Sequence, residues 1–90
     1  MMEIINIIGN ALANELHISP PACRGLIKLS FKDEYGPFKQ ISAHLLENVI
    51  RNSLKNRLEK LEIPPEKVNA IILTLSEILM ENQSLIPFSV

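Results

Sequence analysis

Tryptophan is absent from this 90-residue chain, tyrosine occurs once and phenylalanine three times. So few aromatics leave little flat surface on which the bases of single-stranded nucleic acid could stack. Cysteine occurs once, as Cys23. That excludes an intramolecular disulfide scaffold, and a lone thiol in a short chain points to a reducing compartment, the cytoplasm. Neither sign of charge prevails: nine Lys and Arg stand against ten Asp and Glu, for a net charge of −1. Dedicated polyanion binders are usually basic overall, so binding of nucleic acid is not the first expectation. No apolar run approaches the roughly 18 residues that cross a bilayer. The opening stretch, MMEIINIIGNALANEL, lacks the basic n-region of a secretory signal.

What the chain has is aliphatic bulk. Hydrophobic residues make up 47% and charged residues 21%, a balance that supports one folded domain over residues 1–90 and not a disordered segment. The apolar positions carry helical spacing. Ile4, Ile5, Ile7, Ile8, Ala11, Leu12 and Leu16 fall at i, i+3, i+4, i+7 and i+8, which predicts a helix over 3–16. Ser19-Pro20-Pro21 then reads as a cap followed by the first turn of a second helix over 20–34. The hydroxyl can accept from an orphan N–H, and proline sits where no N–H is needed. Cys23, Leu26, Ile27 and Phe31 are its expected inner face, with Leu29 on the margin, and Tyr35-Gly36-Pro37 ends it. Ser42 is the expected cap of a third helix over 42–61, with a seam of Leu46, Val49, Ile50, Leu54, Leu58 and Leu61. Pro64-Pro65 breaks the chain again before a fourth helix over 65–82 and a short apolar tail over 84–90. The expected fold is all-α: a four-helix bundle built from two helix–Pro–helix hairpins, since a break of so few residues folds adjacent helices back as neighbours.

The halves echo each other. Ile8-x-Asn10-x-Leu12-x-Asn14-x-Leu16 matches Ile50-x-Asn52-x-Leu54-x-Asn56-x-Leu58 at an offset of 42, and Leu16-x-Ile18-x-Pro20 matches Leu61-x-Ile63-x-Pro65 at an offset of 45. A pseudo-repeat is the expectation drawn from this, with amphipathic helices of like composition as the plainer account.

The segment Ala11 to Ile27, ALANELHISPPACRGLI, resembles a DNA-binding helix-turn-helix. Ala13, Leu16, Ile18, Ser19, Cys23 and Leu26 fall in matching places, and His17 stands where that motif usually has glycine. The resemblance covers about a fifth of the chain. It would make the helix beginning at Pro20 the recognition helix, with Arg24, Lys28 and Lys32 as its basic stripe. Two prolines occupy the start of that helix, where base-reading side chains normally sit, and Asp33 and Glu34 offset part of the charge. DNA binding is therefore the alternative reading.

No nucleophile–base pair, carboxylate pair or phosphate loop appears, so no catalytic residue, metal ligand or cofactor is assigned. His44 and Glu47, at i and i+3, are expected to be a solvated pair, because neither His17 nor His44 has a second His or a Cys at ligand spacing. Cys23 faces inward with Leu26 and Ile27 and is expected in the core. The fourth helix is apolar in nearly every direction. Ile72, Leu73 and Met80, joined by Leu85, Ile86 and Phe88 of the tail, would form a patch larger than monomers tolerate. A cytoplasmic interaction module, closed as a two-fold homodimer through this patch, is the leading expectation, with a tail that folds back over the flanks of the fourth helix within one chain as the competing account.

Overall fold

A computed structural model of the chain describes residues 3–37 and 42–85, with only the backbone of Leu85. The described residues are all helix and connection, with no strand among them. Four helices pack together: α1 (Glu3–Leu16), α2 (Pro20–Tyr35), α3 (residues 43–60) and α4 (Pro65–Glu81), the last followed by a single 3₁₀ turn, Gln83–Leu85. α2 and α4 each find their main contacts on α1 and α3. These two helices therefore lie across the assembly from one another.

The breaks between helices follow from local chemistry. At the first, His17 adopts the left-handed conformation (φ 59°) and its N–H donates to the Ala13 carbonyl at 2.8 Å, closing α1. Ser19 caps α2, its Oγ accepting from the Ala22 N–H at 3.3 Å, and Pro20 begins the helix. At the second, Glu62 takes the same left-handed conformation (φ 63°) and Pro65 begins α4. The first carbonyl bonds match as well: the Cys23 N–H donates to Ser19 at 3.1 Å and the Val68 N–H to Pro64 at 3.0 Å. Each proline thus stands in a first turn, where its missing N–H is no loss. α2 ends at Gly36, whose φ of 78° favours glycine, with its N–H donating to the Lys32 carbonyl at 2.8 Å. Ser42 caps α3 through the Leu45 N–H at 3.1 Å.

α3 is not uniformly α-helical. Ala43–Val49 and Lys55–Lys60 are α, but Ile50–Leu54 between them is wound as a π-helix. The apolar seam gives the reason. Leu46, Ile50, Leu54 and Leu58 recur every fourth residue, and all four are fully buried. In an α-helix a four-residue step overshoots one turn by about 40°, so three steps would carry Leu58 about 120° away from Leu46. A turn widened by one residue takes back about 100° and returns both leucines to one face.

The core is aliphatic and draws on all four helices: Ile4, Ile5, Ile8 and Leu12 from α1, Cys23, Ile27 and Phe31 from α2, the α3 seam, and Val68, Ile71, Leu75 and Leu79 from α4. Two expectations fail here. Leu61 does not belong to the seam; it is 55% exposed, because α3 ends at Lys60 and the chain already turns toward Glu62. Ile72 does not lie on an open flank; it is buried, with 6% exposure. Since α4 packs against both α1 and α3, its covered arc is wide enough to take in Ile72 beside Ile71.

Candidate functional site

Three surfaces collect polar or unpartnered side chains. The first is a polar cleft of about 420 Å³ between the end of α2 and the second half of α3, lined by Asp33, Ser53, Asn56, Arg57 and Lys60. Arg57 donates through Nε to Asp33 Oδ2 at 2.7 Å and through Nη2 to Oδ1 at 3.2 Å. The hydrogen bond from Arg57 holds the Asp33 carboxyl below its usual range, with the positive charges of Arg57 and Lys60 adding to it. The same pair raises the Arg57 guanidinium above its ordinary value. Beside them, Ser53, carried on the π-wound turn, donates its Oγ hydrogen to Glu34 Oε1 at 2.5 Å. The charges in this cleft answer one another, so it works as a polar clasp between α2 and α3. Nothing local in the sequence marks these pairs; the partners stand 24 and 19 residues apart.

The second is a shallow groove of about 270 Å³ where the start of α3 meets the end of α4, lined by Ala43, His44, Glu47, Leu79, Met80 and Gln83. Glu47 accepts from Arg51 Nε, one turn on. Among the described residues, no three His, Cys, Asp or Glu side chains are grouped to hold a metal ion. His17 lies apart from His44, exposed on the α1–α2 turn.

The third is the outward face of α4. Leu73 is 58% and Met80 67% exposed, the two largest exposures among the described large apolar residues. Of the residues expected with them, Ile72 is in the core, while Ile86 and Phe88, like the Leu85 side chain, lie outside what is described. Among the described residues the large exposed apolar side chains of α4 are Leu73 and Met80.

No protein-family model, no curated protein and no solved structure matches this chain. The geometry alone carries the functional argument.

The basic stripe of α2 divides. Lys28 and Lys32 are exposed, but Arg24 is half-buried against α1, where its Cγ lies in the space a side chain at Gly9 would need. Cys23 is fully buried, and its desolvation raises the thiol pKa. A thiol so placed is a poor nucleophile. Phe31 and Tyr35 stack at a tilt, with centroids 5.4 Å apart, and the Tyr35 hydroxyl accepts from Asn48 Nδ2 at 2.9 Å. The Tyr35 hydroxyl thus ties α2 to α3. Among the described residues, no helix is long and apolar enough to cross a membrane.

Proposed function

We propose that this protein is a small helical interaction module, cytoplasmic and non-enzymatic, that associates with copies of itself through the outward face of α4. One observation carries the reading: Leu73 and Met80 stand outward on a helix whose other large apolar side chains are covered. Burying what Leu73 exposes contributes about 1–2 kcal/mol, taking about 1.5–3 kcal/mol for a whole side chain. The chain after α4 is apolar at Leu85, Ile86 and Phe88, whose side chains lie outside the described residues. The helices form a four-helix bundle of two equivalent helix–Pro–helix hairpins. The shared left-handed residues, His17 and Glu62, and the matching first carbonyl bonds of α2 and α4 support that equivalence.

Light scattering over a micromolar concentration series tests the proposal. The mass is expected to exceed that of one chain, and Leu73→Glu to return it to one chain with helicity unchanged. A wild-type chain that stays monomeric throughout overturns the proposal.

A second reading, DNA binding by a helix-turn-helix, has one observation in its favour: His17 takes the left-handed conformation at the place where that motif commonly uses glycine. With Arg24 half-buried, Lys28 and Lys32 remain to meet phosphates, and affinity for DNA grows with the number of phosphates neutralised. The expected result on duplex DNA at about 0.15 M salt is weak binding or none. Sub-micromolar affinity lost on Lys28→Ala would promote this reading.

A further inference from the structure

We infer that the surface receiving the outward face of α4 is the outward face of α2 on another copy, so that copies associate head to tail. This rests on the self-association proposed above and names the mating surface. The outward face of α4 is acidic around its apolar centre: Glu66, Glu77 and Glu81 are exposed about Leu73 and Met80. The outward face of α2 is basic around its own: Lys28 and Lys32 are exposed beside Leu29, which is 49% open. At 100° per residue, Gly25, Leu29 and Lys32 fall within one narrow outward stripe of α2, as Glu66, Leu73, Glu77 and Met80 do on α4. A side chain added at Gly25 would meet nothing within 4 Å, so the middle of the α2 face is a shallow seat that lets a second helix approach closely. The helices match in length, at 16 and 17 residues.

Charge selects the pairing. A two-fold contact of α4 with its own copy would set three carboxylates against three, and a two-fold contact of α2 would set lysines against lysines. Juxtaposed like charges oppose an interface, whereas complementary faces steer and align it. α4 against α2 brings opposite signs together around two apolar centres. Because α2 and α4 lie on opposite sides of the assembly, each copy keeps one face of each kind free, and such a contact propagates unless its rotation closes a ring. Two large apolar side chains on the α4 face and one on the α2 face do not reach the roughly 800 Å² per partner of a stable interface. Association is therefore concentration-dependent and weakened by salt.

Sedimentation of the full chain at low salt, over a concentration series, tests the inference with two surface variants, Lys28→Glu and Glu77→Lys. Circular dichroism and melting first establish that both keep the wild-type fold. The wild-type mass is expected to pass that of two chains as concentration rises. Each variant alone is expected to associate at least about tenfold more weakly, since like charges then face each other. An equimolar mixture is expected to recover the wild-type association, because the intact α4 of Lys28→Glu meets the intact α2 of Glu77→Lys and the two reversed charges again face each other with opposite sign. A Lys28→Glu variant that associates as the wild type does would overturn the α2 assignment while leaving self-association through α4 in place. A wild-type mass that plateaus at two chains, with Lys28→Glu unaffected, would have the same meaning and point to the two-fold dimer. A wild-type chain that is monomeric at every concentration would overturn both.

Discussion

Gly9 and Gly25 occupy helix interiors, yet the same substitution is expected to act in opposite directions at the two. Glycine to alanine in a helix interior gains about 1 kcal/mol from backbone entropy and propensity. At Gly25 nothing opposes that gain, since a Cβ there meets open space. Gly25→Ala should therefore stabilise by about 1 kcal/mol, or roughly 4–8 °C in melting temperature for a domain of this size. At Gly9 a Cβ would lie 2.7 Å from Arg24 Cγ and 3.4 Å from the Arg24 backbone nitrogen. The first carbons of the arginine can swing away only by moving a half-buried side chain, and the main chain behind them belongs to α2. Overpacking of this kind costs about 1–3 kcal/mol. Set against the same propensity gain, it leaves Gly9→Ala neutral to about 2 kcal/mol destabilised. The difference between the two variants isolates the packing effect, because the propensity contribution cancels. Thermal and urea unfolding at a concentration low enough to avoid association measures both. Equal stabilisation by the two alanines would refute the close approach of α1 and α2 at Gly9.

The two left-handed residues should behave alike: His17→Gly and Glu62→Gly are each expected to stabilise by about 0.5–1 kcal/mol, because the backbone strain relieved exceeds the entropy glycine adds to the unfolded chain. Destabilisation at either position, seen by urea unfolding, would mean that the side chain holds its junction in some other way. Ser76 is buried with its Oγ unpaired, so Ser76→Ala should be neutral or stabilising by up to about 1–2 kcal/mol, as an unsatisfied hydroxyl is removed; a loss above about 1 kcal/mol would show that the hydroxyl is bonded. The Asp33 carboxyl is held below its ordinary value by Arg57, so its contribution is complete above the ordinary carboxyl range and lost as pH falls through the depressed value. Melting profiles between about pH 2 and 6 at low salt should therefore show a shallower acid limb for Arg57→Gln than for the wild type, and identical limbs would remove the pair from the acid response.

Helix positions were legible because they depend on neighbours in the chain. Apolar spacing marked α1, proline and serine marked the starts of α2 and α3, and Pro65 marked α4, all within a residue of the observed ends. The burial of Cys23 followed from the same periodicity. Two other features required the folded molecule. The four-residue spacing of the α3 seam was visible, but that it would be met by a π-wound turn was settled by the demand that Leu46 and Leu58 enter one core. The Asp33–Arg57 and Ser53–Glu34 clasps join residues remote in sequence, for which no local spacing rule exists. Ile72 shows the division most clearly. Periodicity tells which residues share a helix face, but how wide an arc of that helix is covered depends on how many neighbours it has. Because α4 packs against both α1 and α3, Ile72 lies in the core and Leu73, one residue on, remains at the surface.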